Sequence, residues 1–188
     1  MIRHSDFERA RSVFEFGCGT GRFAEILLHH HLPRKATYVG VDISETMVGL
    51  ARDRLARFGS RAEVQLTDGS PQLNVQTAPF DRFVSNYVLD LLTLADIRAL
   101  LAEAHRILAA DGLLGLVSLT HGFTAVSRLV ERAWVTLHKR RPALVGGCRP
   151  IDLQELIGNS LWHTHYQKKF SAFGIPSEVL VAAKALAS

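Results

Sequence analysis

Short apolar runs rich in β-branched and aromatic residues alternate along the chain with longer stretches in which apolar positions recur every three or four residues. The first pattern predicts strands and the second amphipathic helices. "SVFEF" (12–16) reads as a strand, followed by a helix over 20–32 that Pro33 closes. "ATYVGVD" (36–42) is a second strand, and a helix over 44–59 follows it, with Ser44 as N-cap and Gly59 as stop. Strands are expected over 62–69 and 80–89. Between 95 and 112 the residues Ile97, Leu100, Leu101, Ala104, Ile107 and Leu108 line one helical face, and Gly112 ends it. "LLGLVSL" (113–119) is apolar enough to be a strand buried on both faces. A helix is expected over 123–139, and Asp152 with Glu155 resembles a capping box opening a short helix. "LWHTHYQKKF" and "SEVLVAAKAL" read as two strands that can pair antiparallel across "SAFGIP". Strands alternating with helices imply an α/β class with a largely parallel sheet.

Composition narrows the picture. No run of eighteen apolar residues predicts a membrane span. The charged start "MIRHSDFERARS" has no apolar signal region. The two cysteines, Cys18 and Cys148, suggest neither a disulfide framework nor a metal spacing, and a cytoplasmic setting is the simplest expectation. The net charge is +4, with basic residues gathered in "HKRRP" (138–142) and at Lys168 and Lys169. No aromatic interleaving or nucleic-acid signature accompanies them, so they read as solvated surface and nucleic acid is not the expected partner. His29, His30 and His31 cannot share one helix face, and His163 with His165 lacks a third ligand, so no metal is expected.

The chemistry concentrates in "FEFGCGTGRFAEILL" (14–28), a strand running through three glycines into a helix. A dinucleotide turn wants G-x-G-x-x-G. Here Gly17, Gly19 and Gly21 give G-x-G-x-G, and Arg22 stands where the third dinucleotide glycine belongs. Nor is there the Lys-Ser/Thr of a P-loop. Both departures point away from a pyrophosphate ligand.

Glu15 to Gly21, "EFGCGTG", resembles the first motif of class I S-adenosylmethionine-dependent methyltransferases. "VGVDIS", "LTDG", "FDRFVSNYVLDLL" and "LLAEAHRILAADGLLGLVSL" resemble the later motifs in order, the last with Ala-Asp-Gly in place of the usual Pro-Gly-Gly. The resemblance implies a Rossmann-like, doubly wound, seven-stranded sheet, mostly parallel with an antiparallel last strand, in one domain spanning 1–188. It implies S-adenosylmethionine as cofactor. It also implies a cofactor site of Glu15, Gly17, Cys18, Gly19, Thr20, Gly21, Asp42, Ile43, Met47, Asp68, Gly69, Asn86 and Tyr87. Asp42 would accept from the ribose diol, Glu15 would meet the ammonium, and Asp68 with Gly69 would read the adenine edge. Ile43 and Met47 would offer apolar faces, and Cys18 would be a small filler.

Methyl transfer from a sulfonium needs orientation more than a base. Tyr87 and His121 are the candidates for touching the acceptor or taking its proton. "SNYV" lacks the Pro-Pro-aromatic run of nucleobase amino-methyltransferases, and a small-molecule acceptor at an O, C or N atom is expected. Selectivity is expected in a substrate-side insertion over 121–151, where Phe123, Trp134 and Leu144 would line a pocket and Arg140, Arg141 and Arg149 would meet an anion. Only about a dozen residues precede the first strand, where relatives carry covering helices, so the expectation is a truncated chain, an open site or a lid from a partner. A catalytically silent cofactor- or partner-binding module is the main alternative. A nicotinamide-dependent oxidoreductase is a weaker one, because no Tyr-x-x-x-Lys set is present.

Overall fold

The computed structural model describes residues 1–73, 79–122, 149–157, 161–172 and 175–185. Seven strands form one sheet in the order β3-β2-β1-β4-β5-β7-β6. The strands are β1 (Ser12–Phe16), β2 (Thr37–Asp42), β3 (Ala62–Leu66), β4 (Phe80–Asn86), β5 (Leu108–Leu119), β6 (Trp162–Ala172) and β7 (Ile175–Lys184). β1 to β5 pair in parallel, and β7 lies antiparallel between β5 and β6. This is the doubly wound sheet with an antiparallel closing strand that the sequence implied. No helix among the described residues is long and apolar enough to cross a membrane.

Helices α1 (Arg22–Ile26), α2 (Glu45–Leu55), α3 (Leu94–Ile107) and α4 (Leu153–Ile157) pack on the sheet. Two apolar layers result. Phe14, Phe83, Leu114 and Leu180 meet α3 and α4 on one face, through Ile97, Leu100, Leu101 and Leu153. Val13, Tyr38, Val64 and Val84 meet α1 and α2 on the other, with Phe7 of the N-terminal segment beside them. Alternate residues of β1 therefore face opposite layers, as a strand buried on both sides requires. Glu15 shares its face with Val13, two residues away.

Several boundaries differ from expectation, each for a local reason. The helix expected from residue 20 begins at Arg22, because Gly17, Gly19 and Gly21 all take positive φ and keep the chain in a turn. Its last turn, Leu27–His31, is π-helical, and this widening buries both Leu27 and Leu28 while His29 and His30 stay exposed. α2 stops at Leu55, and a 3₁₀ stretch with Gly59 at φ 58° carries the chain to β3. β3 ends at Leu66 rather than residue 69, in a turn where Asp68 Oδ1 accepts from the Ser70 N–H at 2.8 Å. β4 ends at Asn86 rather than residue 89, because Tyr87 is left-handed at φ 56°.

α3 ends at Ile107 rather than Gly112, since Leu108 turns extended and pairs with Phe80. Buried between sheet and helix, Leu108 gains more from the ladder than helix propensity offers over "AADG". Ser44 caps α2 as expected, and Asp152 accepts from the Gln154 and Glu155 N–H groups to cap α4. The helix expected over 123–139 lies outside the described residues.

Candidate functional site

The glycine turn is stitched to the strand beside it. The Gly17 and Cys18 N–H groups both donate to Val41 O of β2, at 2.9 and 3.0 Å. Gly17 cannot be replaced cheaply, because a Cβ there would sit 2.2 Å from Val88 Cγ2 at φ +76°. Gly21 opens α1 against α2, where an added Cβ would meet Ala51 Cβ at 3.1 Å. Gly19 is different. Its φ is +53°, yet a Cβ would meet nothing within 4 Å, so this glycine borders open space.

Asp42, ending β2, binds the turn from the other side. Its Oδ2 accepts from the Gly19 N–H at 2.8 Å and its Oδ1 from the Ser44 N–H at 2.9 Å. An ionised carboxylate has about four acceptor positions, so roughly two remain for a ligand. The residue is part-exposed, facing an apolar pocket of about 260 Å³ formed with Phe16, Ile43, Val88, Leu91 and Leu92. Gly17 and Gly69 complete that wall.

On the far side of Gly17 opens a larger cleft of about 910 Å³. Glu15, Cys18, Gly19, Thr20, Asn86 and Tyr87 line its near end. Glu15 is buried and held by two donors: Tyr38 Oη at 2.6 Å from Oε2 and Asn86 Nδ2 at 3.0 Å from Oε1. Burial pushes its carboxyl up to about 7, although both hydrogen bonds pull the other way. Burial, then the Glu15 and Asp42 carboxylates, push the Cys18 thiol up to about 12. That leaves a neutral space-filling group, not a nucleophile. Tyr87 is half exposed. Its N–H donates to Val117 O at 2.7 Å and its hydroxyl to Ser177 Oγ at 3.2 Å. These contacts hold a bulky residue in the left-handed region, where strain of about 1–3 kcal/mol is usual.

The structure thus brings Glu15, Gly17, Cys18, Gly19, Thr20, Asn86 and Tyr87 around one cleft, and Asp42, Ile43 and Gly69 around the adjoining pocket. Gly21 lies behind the turn, buried under α2. Asp68 is exposed and lines a neighbouring depression of about 530 Å³ with Gln65 and Gln72, which shares Val41 and Thr67 with the Asp42 pocket. Met47, on the outer surface of α2, and His121, exposed after β5, border none of these three cavities. Of the expected selectivity residues, Phe123, Trp134, Leu144, Arg140 and Arg141 lie outside the described residues. Arg149 does not face the cleft: its guanidinium donates to Leu92 O at 2.6 Å and its N–H to Asp90 O.

Sequence reasoning missed Tyr38. The signal was the alternation in "TYVGVD", which sets Tyr38 and Gly40 on one face, with Gly40 paired to Glu15. A Cβ on Gly40 would lie 2.6 Å from Tyr38 Oη, so the glycine clears the ring's path to Glu15. It also missed Val88, Leu91 and Leu92, which the run "VLDLL" offered, and the N-terminal and β6 side chains of the larger cleft, for which no motif existed.

Residues 13–112 match the family described as Methyltransferase domain, and the chain belongs to that family. Among curated proteins it is 32% identical over 102 residues to the carboxy-S-adenosyl-L-methionine synthase of Trichodesmium erythraeum, covering 54% of this chain and 40% of that one. It is 33% identical over 125 residues to the malonyl-[acyl-carrier protein] O-methyltransferase of Laribacter hongkongensis, covering 63% and 39%. The chain therefore spans about two fifths of the length of these relatives. A solved structure of a SAM-dependent methyltransferase from Methanosarcina mazei superposes with a TM-score of 0.74 at 19% identity, covering 99% of this chain and 98% of that one. This last likeness is one of fold.

Proposed function

We propose that this domain binds S-adenosylmethionine and directs its methyl group to an oxygen, carbon or nitrogen atom of a small-molecule acceptor. The observation that carries this reading is Asp42, which holds the Gly19 N–H and retains acceptor capacity in the apolar pocket that adjoins the larger cleft at Gly17. The residues fit the cofactor. Open space at Gly19 is a cradle that a Cβ would fill. The apolar pocket suits a purine, the Asp42 carboxylate a ribose diol, and Glu15 an ammonium at the cleft's near end. When bound, the cofactor would supply an activated methyl on a sulfonium, open to displacement by an electron pair of the acceptor.

The chain's own work is then positional. Gly17 and Gly19 let the backbone approach without side-chain interference. Leu91, Leu92 and Val88 exclude water from the purine side. Tyr87 lines the cleft beside Asn86. We assign it contact with the acceptor; His121, which borders none of the three cavities, takes no part in the proposed reaction. Both names and fold of the matched proteins support S-adenosyl chemistry at this turn.

Calorimetric titration with S-adenosylmethionine, S-adenosylhomocysteine and NADH tests the reading. Binding of the two sulfur nucleotides alone is expected, weakened at least about 100-fold in Asp42→Ala through loss of charge-assisted hydrogen bonds. Binding of NADH instead would overturn it. Release of S-adenosylhomocysteine with an acceptor panel then separates an enzyme from a silent binding module.

A further inference from the structure

The larger cleft extends well past the cofactor end. Asn86 of β4 pairs with Val117 of β5, Val117 with Val179 of β7, and Val179 with Lys168 of β6. Side chains directly opposite on neighbouring strands share a face, so these four form one row across the sheet. Three inter-strand steps separate Asn86 from Lys168, about 14 Å at the usual strand spacing. A ligand atom resting at Gly17 and Asn86 is therefore remote from Lys168, an exposed residue on the same cleft.

The chemistry along that row changes in order. Asn86 binds Glu15 at one end, Val117 and Val179 make an apolar floor, and Lys168 stands at the other end. Tyr166 and Phe170 flank Lys168 on the same face of β6, at alternate positions. His4 of the N-terminal segment stacks on Tyr166, with ring centroids 3.6 Å apart and planes 9° from parallel, forming a flat aromatic wall. Arg3 lies beside it on the cleft. Neither Arg3 nor Lys168 joins any of the ion pairs found among the described residues. Glu15 is the sole carboxylate among the described lining residues, and it is buried and already bonded.

An apolar floor, an aromatic wall and uncompensated cations at the far end define one kind of guest. We propose that the methyl acceptor is a planar, largely apolar molecule carrying an anionic group, seated over Val117 and Val179 with its anion at Lys168 and Arg3. The inference rests on the methyltransferase reading, because the cofactor occupies the near end of the same cleft. Seated this way, the acceptor turns its opposite edge toward Tyr87 and the methyl. The anion orients the molecule and the rings set its plane.

The test uses the protein saturated with S-adenosylhomocysteine and titrated with 4-hydroxybenzoate, phenyl phosphate and the neutral 4-hydroxybenzamide. At least one anionic probe is expected to bind about tenfold or more tighter than the amide, with the advantage shrinking at high salt. Lys168→Met combined with Arg3→Gln is expected to abolish that advantage while leaving amide binding within about twofold. Retained S-adenosylhomocysteine affinity shows that the double variant is folded. Equal binding of acid and amide, binding of neither, or an advantage that survives the double variant overturns the inference alone. Failure of S-adenosylhomocysteine to bind the unaltered protein overturns the cofactor reading, and this inference with it.

Discussion

Tyr38 Oη lies 2.6 Å from Glu15 Oε2, reaching it across the missing side chain of Gly40. The two residues sit on adjacent parallel strands, and both are buried. With the Asn86 amide, the hydroxyl is one of two donors that hold the buried carboxyl at the edge of the cleft. Tyr38 thus positions Glu15 without touching the cleft itself. Tyr38→Phe keeps the ring's packing and removes the donor. The expected loss is about 1–2 kcal/mol of stability in urea denaturation, with weaker S-adenosylhomocysteine binding near neutral pH. Unchanged binding would show that the hydrogen bond is structural only.

Glu15 also makes stability depend on pH. Its folded carboxyl is raised to about 7 by burial, from an ordinary value of 4.5. Between those values the unfolded chain has released the proton while the native chain keeps it. The protonated form's stability is therefore complete below the ordinary value and is lost as pH rises through about 7. Glu15→Gln removes this titration. The variant's unfolding free energy, relative to the parent, is expected to rise from acid to mildly alkaline pH by up to about 3 kcal/mol. A pH-independent difference would sink the assignment. Ligand affinity moves oppositely: an ammonium prefers the ionised carboxylate, so binding should tighten from about pH 6 to about pH 8.

The first two glycines of the turn separate fold from function. Gly17→Ala drives a Cβ into Val88 in a left-handed conformation and is expected to cost several kcal/mol, on the order of 3 or more. Gly19→Ala meets no neighbour and should cost only about 1 kcal/mol. Its methyl projects into the open space assigned to the cofactor, so affinity should fall more than stability. Thermal melts and titrations of the pair check this, and the reverse pattern would remove the cofactor from that space.

Arg82 fastens the N-terminal segment to the sheet. Its guanidinium donates to Ser5 O, to Asp6 O at 2.7 Å and to Asp81 O at 2.7 Å. Arg82→Met retains much of the stem's packing and strands three carbonyls, two of them on that segment. A loss of about 2–4 kcal/mol is expected, with faster amide exchange over residues 1–10 than over β4. Exchange that stays uniform would show that the segment is held chiefly by Phe7.

Much of this architecture was legible in the chain. Short runs of β-branched and aromatic residues between helical patterns located all seven strands, most plainly β1 and β4, which are buried on both faces. Ser44 and Asp152 announced helix starts through local hydrogen bonding that needs no tertiary partner. "EFGCGTG" and Asp42 announced the turn, because closeness of backbone to backbone is written directly as glycine.

What the sequence left open depended on contacts between distant segments. Leu108 left its helix because β4 offered a ladder. Tyr87 ended β4 because Val117 and Ser177, from two other strands, hold its backbone and hydroxyl. Arg149 carried a charge that suggested a substrate contact, but the carbonyl of Leu92 claims it. The sequence pointed to Glu15 as a ligand group, but only the packing of distant strands buried it and raised its carboxyl to about 7, with Tyr38 and Asn86 donating to it. Local chemistry dictates where the chain turns. Desolvation and the row from Asn86 to Lys168 exist only once strands remote in sequence lie side by side.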